Sequence, residues 1–98
     1  MLCGQKCVVA NAAGAISYQD TDGFYVAAAN TTATVTLTGV GAITQSGAMA
    51  GTTLTAKTLV NGGAAITLGN AGNEFATVDL RARNTADTAN AAGTIDYR

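Results

Sequence analysis

The chain has 98 residues, the usual size of one domain, and a formal net charge of −1. Hydrophobic residues make up 48% of it, yet only 5% are aromatic and 11% are charged, so alanine supplies much of the apolar content. Such weak charge argues against nucleic acid or anionic lipid as a partner, and the many β-branched residues argue against disorder. No run of about 18 apolar residues is present, so we expect no membrane insertion.

Residues 1–8 match the rest of the chain poorly, and we predict a frayed N-terminal head there. They lack the basic and apolar regions of a secretory signal, so export would need a signal elsewhere in a larger precursor. The head carries Cys3 and Cys7. A zinc site would need further ligands, which a chain without His or a third Cys does not offer, and a disulfide across so short a gap is usually strained. We therefore expect two free thiols.

Residues 13–26 predict a short strand, a turn at residues 20–23 and a second strand that begins at Phe24. The turn sequence Asp-Thr-Asp-Gly resembles half of a calcium loop. It lacks the third acidic position and the distant Glu, so an ordinary Asp-Gly turn is the better interpretation.

Residues 27–41 hold the clearest alternation in the chain, with Ala33, Val35 and Leu37 on one face of a predicted strand. Threonines occupy the other face, where they are ordinary β-formers. Two similar units follow, which open at Ile43 and Ile66. The residues predicted to form the core are Ile16, Val35, Leu37, Ile43, Leu54, Ile66, Leu68, Val78, Leu80 and Ile95.

Glycine and asparagine separate these predicted strands. Glycine adopts positive φ without steric cost, and asparagine is among the non-glycine residues that best tolerate it. The predicted corners are Gly23, Gly41, Gly47, Gly63, Asn70 and Asn73.

The chain also repeats itself. The string Asn-Ala-Ala-Gly begins at Asn11 and again at Asn90, 79 residues later, and an isoleucine and a tyrosine follow in register each time. Four isoleucines (Ile16, Ile43, Ile66 and Ile95) divide this distance into three unequal units. Units of about 20–30 residues with short strands are typical of a β-solenoid. We therefore predict an all-β solenoid over residues 9–98, with one long repeat and the start of the next.

Three strings carry a family resemblance: GAITQSGAM (41–49), AAITLGNAGNEFATVDL (64–80) and GTIDYR (93–98). They resemble the repeat units of filamentous-haemagglutinin-type proteins and autotransporter passenger domains, which are large secreted or surface adhesins of bacteria. The resemblance implies a right-handed parallel β-helix, here of about three to four rungs, within a larger exported protein. The matching positions are scaffold, so no binding residue is carried over.

Catalytic machinery is sparse in this sequence. A serine triad is excluded because there is no His. A carboxylate pair for glycoside cleavage could come from Asp20, Asp22, Glu74 and Asp79, but the aromatic platforms of a sugar groove are missing. We predict no enzymatic activity and no cofactor.

Two surface features remain open to a binding role. Asp79, Arg81 and Arg83 share one face of a predicted strand, either as a ligand contact or as a solvated face with an ion pair worth under about 1 kcal/mol. Thr-x-Thr pieces at residues 34–38 and 53–55 could order water as an ice-binding plane does, but residues 77–79 do not continue them.

The sequence therefore predicts a structural segment of a cell-adhesion protein or extracellular scaffold, secreted or at the bacterial cell surface. Its host-cell or matrix ligand is not given by the sequence. Exposed terminal strands favour end-to-end self-association.

Overall fold

The computed structural model describes residues 7–98 and is all-β in that range, as predicted. Strands form where Val, Ile, Leu and Thr alternate, and they end at turn formers such as Asp20, Asn30 and Gly39. The described part of the chain contains no helix that could cross a membrane. The strands are β1 (Cys7–Asn11), β2 (Ile16–Asp20), β3 (Phe24–Asn30), β4 (Thr34–Gly39), β5 (Ile43–Gln45), β6 (Met49–Ala50), β7 (Thr53–Leu59), β8 (Ile66–Leu68), β9 (Thr77–Arg83) and β10 (Ile95–Tyr97).

The strands form two sheets. The six-stranded sheet has the order β1-β3-β5-β8-β10, with β6 paired to β3, and the four-stranded sheet has the order β2-β4-β7-β9. Neighbouring strands within each sheet are parallel. Parallel neighbours need a crossover connection, and here the crossover includes a strand of the other sheet.

The register places like residues in columns across the strands. In the six-stranded sheet, Phe24 pairs with Ile43, Ile43 with Ile66, and Ile66 with Ile95. In the four-stranded sheet, one column contains Ile16, Val35, Leu54 and Val78, and the next contains Tyr18, Leu37, Ala56 and Leu80. Isoleucine therefore stacks on isoleucine in one sheet and on valine in the other.

Burial follows these columns. Seven predicted core residues are buried: Ile16, Val35, Leu37, Ile43, Leu54, Ile66 and Leu68. Thr58 is the buried polar residue of residues 7–98, and its hydroxyl donates to the carbonyl oxygen of Ala64 at 2.9 Å.

Two predicted core residues lie at the surface. Val78 is 39% exposed and Ile95 is 43% exposed, so the prediction was wrong for both. They lie on β9 and β10, which have only one sheet neighbour each in the described chain, so no strand covers their far side. Leu80, also on β9, is partly buried against the core.

The sequence repeat of 79 residues is not a structural period. Ile16 lies in β2 of the four-stranded sheet, whereas Ile95 lies in β10 of the six-stranded sheet. The residue that stacks on Ile43 is Phe24, not Ile16. Both similar strings form a strand, because strand formation depends on neighbouring residues in the sequence. They lie in different sheets because the turns between them differ in length.

Three of the four predicted glycine corners serve a purpose that differs from the predicted one, and Gly63 has the predicted positive φ. Within residues 7–98, positive φ occurs at Gly63 (89°) and, among non-glycine residues, at Asp87 (56°). Gly23 and Gly47 have other reasons to lack a side chain. A Cβ on Gly23 would lie 2.7 Å from the carbonyl oxygen of Ala42, and one on Gly47 would overlap that of Ala27. Gly41 likewise abuts the backbone of Gly23, so these glycines allow successive turns of the chain to approach each other.

The asparagine corners act through their side chains. The side-chain NH₂ of Asn73 donates to the carbonyl oxygens of Leu68 and Arg98 at 3.2 and 3.1 Å, and its Oδ1 accepts from the amide of Met49 at 3.1 Å. Asn70 Oδ1 accepts from the amide of Gly72 at 2.8 Å. The predicted corner positions are correct, but hydrogen bonding and not positive φ explains them.

The predicted head is corrected at its end. Cys7 and Val8 belong to β1, and Val8 is only 5% exposed and pairs with Val26 of β3. Cys7 is disulfide-bonded, which overturns the expectation of a free thiol at this position. Cys3 and the rest of residues 1–6 lie outside the described range.

Candidate functional site: the outer face of the four-stranded sheet

The outer face of the four-stranded sheet is the side opposite the buried column that contains Val35 and Leu54. Because side chains alternate along a strand, every second residue points to this face. Its side chains are Ser17, Gln19, Thr34, Thr36, Thr38, Thr53, Thr55, Lys57, Leu59, Thr77, Asp79, Arg81 and Arg83.

Threonines stack in register on this outer face. Thr34 pairs with Thr53, which pairs with Thr77, and Thr36 pairs with Thr55. The prediction that residues 77–79 interrupt the array is thus wrong for Thr77. It is right for the next column, where Asp79 follows Thr55.

The hydroxyls of these stacked threonines form no hydrogen bonds with other groups of residues 7–98. Threonine hydroxyls at other positions do: Thr52 donates to the carbonyl oxygen of Thr32 at 2.8 Å, and Thr31 donates to that of Gly14 at 2.5 Å. No such bond ties a stacked hydroxyl to residues 7–98. Because β-branched side chains are stiff at χ1, the face presents hydroxyl and methyl groups in fixed rows. Within a row, threonines on neighbouring strands are about 4.8 Å apart.

A charged cluster borders the threonine rows, and it contains the predicted contact residues. Asp79 accepts from Arg81 Nε at 2.9 Å and from a terminal nitrogen of the same guanidinium at 3.3 Å. Asp87 accepts from Lys57 Nζ at 2.7 Å and from Arg83 Nε at 2.8 Å. Asp79, Arg81 and Arg83 therefore lie on one face as predicted, but Arg83 turns away from Asp79 toward Asp87.

The ion pairs shift the pKa values of the cluster. The hydrogen bond from Arg81 lowers the pKa of Asp79, and the same bond raises the pKa of Arg81. Lys57 first, and then Arg83, lower the pKa of Asp87. Both carboxylates therefore stay ionised at lower pH than an isolated aspartate would. Since the cluster contains three cations and two anions (Lys57, Arg81, Arg83, Asp79 and Asp87), most of its charge is internally neutralised.

The segment of residues 84–90 is ordered by the charged cluster. Besides its two ion pairs, Asp87 has positive φ. Asn84 Oδ1 accepts from the amide of Thr88 at 2.8 Å, and Arg83 donates to Asn90 Oδ1 at 2.8 Å. Nothing in the sequence indicated that Lys57, thirty residues from Asp87, would hold this loop.

The four candidate catalytic carboxylates are not brought together. Asp20 ends β2 and Asp79 lies in β9, which are the two edge strands of the four-stranded sheet. Asp20 accepts from the amide of Asp22 at 3.1 Å, as in an Asx turn. Glu74 instead forms a bridge with Ala50, which belongs to the six-stranded sheet.

A shallow groove of about 550 Å³ lies beside the charged cluster at the β9–β10 end of the two sheets. Leu80, Ala82 and Ile95 supply its apolar surface, and Arg81 and Asn90 contribute polar groups. The groove is open, so it exposes part of the inner side of β9.

Parallel strands that alternate between two sheets, with stacked columns inside and rows of polar side chains outside, define the chain as an all-β repeat protein. Residues 13–81 match a family described as repeats of unknown function (DUF5649), and the chain belongs to that family. No curated protein and no solved structure matches it.

Proposed function

We propose that the two sheets are walls of a right-handed parallel β-helix of about three to four rungs, where a rung is one turn of the chain. We propose further that the chain is a structural repeat segment of a secreted or surface bacterial adhesin, like the filamentous-haemagglutinin-type passengers that its strings resemble. The observation that carries the proposal is the stacking of parallel strands in register, with Phe24, Ile43, Ile66 and Ile95 in one column.

A scaffold role also agrees with the distribution of polar groups. The candidate carboxylates lie on opposite edges and in different sheets, which supports a protein that is not an enzyme. The outer face of the four-stranded sheet is broad, and its charged cluster is largely neutralised. A host-cell or matrix ligand would therefore contact an extended surface and not a pocket.

A bead-adhesion assay tests this proposal. Beads coated with the chain should bind fixed epithelial cells or a collagen-coated surface, and the double variant Thr36→Lys, Thr55→Lys should lose that binding. The matched control is Thr44→Lys, Thr67→Lys, which places the same charges at exposed positions of the six-stranded sheet and should bind like the wild type.

Two results would count against the adhesin proposal. One is the absence of bead binding to both surfaces. The other is release of reducing sugar from a polysaccharide, lost on Asp79→Ala or Glu74→Ala, which would favour a polysaccharide-active enzyme instead.

The threonine rows support a second candidate function, ice binding. Thr34, Thr53 and Thr77 form a row of hydroxyls that have no hydrogen-bond partner among residues 7–98, and Thr36 and Thr55 form another. The second row ends at Asp79, and Lys57 replaces threonine beside Thr38 in the next column, which is why the scaffold role is preferred. Ice binding predicts thermal hysteresis that is abolished by Thr36→Tyr and retained by Thr44→Tyr, and a wild type without hysteresis would exclude it.

A further inference from the structure

The corner between β7 and β8 carries the Asn-Gly step of this sequence, at Asn61 and Gly62. The backbone N–H of Gly63 donates to the carbonyl oxygen of Val60 at 2.8 Å, which closes a β-turn with Asn61 and Gly62 at its two central positions. Both central residues are exposed. The asparagine side chain and the backbone nitrogen of the next residue therefore lie in a turn that water can reach.

The backbone nitrogen of Gly62 is unobstructed. A Cβ at this position would meet nothing within 4 Å, and no group of residues 7–98 accepts a hydrogen bond from the Gly62 N–H. Glycine also lacks the side chain that hinders approach of a backbone nitrogen to the preceding asparagine carboxamide. The other asparagines of the sequence precede Ala, Thr or Glu, so this freedom is particular to Asn61.

The side chain of Asn61 is held by the neighbouring loop of residues 84–90. Its Oδ1 accepts from the backbone N–H of Thr85 at 2.9 Å. This donor lies where negative charge develops on Oδ1 when a nucleophile attacks Cγ, and it makes Cγ more electrophilic. The loop therefore supplies one oxyanion donor to an exposed asparagine.

We propose that Asn61 and Gly62 form a site of spontaneous self-modification, assisted by the Thr85 N–H, in which Asn61 becomes aspartate and isoaspartate through a succinimide. The Gly62 nitrogen bonds to Asn61 Cγ, the Cγ–Nδ2 bond breaks, and ammonia leaves with the proton that Gly62 gives up. Water then opens the ring. Opening at Cγ gives aspartate, and opening at the backbone carbonyl carbon gives isoaspartate. The reaction consumes only water, and the proposal does not depend on the adhesin function.

Both products place a negative charge at this corner. In aspartate, the new carboxylate keeps the hydrogen bond from the Thr85 N–H, and a charge-assisted hydrogen bond is stronger than a neutral one. Isoaspartate instead adds one carbon to the backbone of a turn that leads to Gly63. That glycine packs closely on the next turn of the chain, since a Cβ on it would lie 2.4 Å from the Gly93 nitrogen. The isoaspartate form should therefore melt at a lower temperature than the aspartate form.

Peptide mapping of the folded chain after incubation at mildly alkaline pH tests the site. Trypsin cleavage after Lys57 and Arg81 releases one peptide that contains Asn61 together with Asn70 and Asn73, which serve as internal controls. We expect Asn61 to deamidate at least about tenfold faster than either control, because glycine follows it. Equal rates at the three asparagines would overturn the proposal.

The products report the route of the reaction. Isoaspartate at position 61 should appear together with aspartate, because only a succinimide opens at either of its two carbonyl carbons. Direct hydrolysis of the carboxamide gives aspartate alone, and that result would also overturn the proposal.

Gly62→Ala separates the chemistry from folding. The variant should keep the wild-type circular-dichroism melt, because the space for its Cβ is open and Gly62 does not have positive φ. It should deamidate at Asn61 at least about tenfold more slowly, since the added Cβ hinders ring closure. Gly69→Ala, the same change at another glycine with open surroundings, should react like the wild type. A folded Gly62→Ala that reacts as fast as the wild type would contradict the proposed route.

Thr85→Pro tests the oxyanion donor. The backbone N–H of Asp87 donates to the carbonyl oxygen of Asn84 at 3.0 Å, so Thr85 is the second residue of a β-turn, where proline is favoured. The variant removes the N–H that Asn61 Oδ1 accepts and should slow deamidation at least about threefold. Thr85→Ala keeps that N–H and should react at the wild-type rate. If Thr85→Pro, folded by circular dichroism, also reacted at that rate, the proposed assistance by the loop would be refuted.

Discussion

The two sheets are built from similar short strands but differ in how far their register runs. In the four-stranded sheet, β7 pairs with β4 over six consecutive residues and with β9 over seven. In the six-stranded sheet, β3 pairs first with β5 and then with β6, and the chain leaves the ladder at residues 46–48. A bulge also separates Val8 from Val9.

This difference shows how the chain provides hydrogen-bond partners for its backbone N–H and C=O groups. Where the ladder is continuous, the strands pair with each other and threonines are free to face outward. Where the ladder is broken, side-chain amides replace it: Asn73 accepts from the amide of Met49 and Gln45 accepts from that of Asn70, each at 3.1 Å. The regular sheet therefore offers a flat surface, and the irregular sheet depends on individual polar side chains.

The largest loss of stability is expected from a change in the isoleucine column of the six-stranded sheet. Ile66→Asp places an unpaired charge at a fully buried position between Ile43 and Ile95, at a cost on the order of 4 kcal/mol. We expect an unfolded chain by circular dichroism. Thr67→Asp, at the adjacent exposed position, is the control and should change the free energy of unfolding by less than about 0.5 kcal/mol. A cooperative melt of Ile66→Asp like that of the wild type would remove Ile66 from the core.

Gly47 tests the place where the irregular sheet leaves its ladder. Its missing Cβ would overlap the carbonyl oxygen of Ala27, so Gly47→Ala must move backbone and should cost about 3 kcal/mol. Gly69→Ala is a matched control because nothing lies within 4 Å of its Cβ position. The control should keep the wild-type melting temperature or raise it slightly. Equal melting temperatures for the two variants would refute the close-approach explanation.

Asn73 tests whether side-chain amides replace the ladder. Asn73→Ala removes the acceptor for the amide of Met49 and the donors to two carbonyl oxygens, and we expect a loss of about 2 kcal/mol in urea unfolding. Asn30→Ala removes one exposed hydrogen bond, which the side-chain NH₂ of Asn30 donates to Asn11 Oδ1 at 3.0 Å. This loss should cost about 0.5 kcal/mol. If Asn30→Ala were as damaging as Asn73→Ala, the corner network would have no special role.

The smallest expected effect concerns the loop that borders the regular sheet. Lys57 and Arg83 lower the pKa of Asp87 in the folded chain. Its ion pairs therefore stabilise the loop fully above the ordinary aspartate pKa, and this contribution is lost as pH falls through the lowered pKa. An NMR titration should show the amides of residues 84–90 shifting together at acid pH.

Asp87→Asn should reproduce the acid spectrum of the loop at neutral pH, and Asp96→Asn, a control elsewhere on the surface, should leave it unchanged. Loop amides that stay in place in Asp87→Asn would mean that the ion pairs do not hold the loop.

The alternation of apolar and polar residues along the sequence was sufficient to predict the regular strands and their two faces. Val35 and Leu37 alternate with threonines, and Leu54 and Ala56 do the same in β7, so period-two alternation assigned inner and outer sides before any strand was paired. The face shared by Asp79, Arg81 and Arg83 followed from the same rule. Only the part of the site that lies on β9 could be predicted, because Lys57 and Asp87 reach the site from elsewhere in the chain.

The sequence by itself determined an all-β chain, the positions of most of its strands and of its corners, and which side of the regular strands is apolar, since these depend on neighbours along the backbone. Tertiary structure alone decided that Phe24 and not Ile16 stacks on Ile43, that Val78 and Ile95 are exposed, and that Gly23 and Gly47 are required by close backbone approach. Those outcomes depend on which turn of the chain lies beside which. The unequal lengths of the connecting turns set that arrangement, and a repeated string of residues does not encode it.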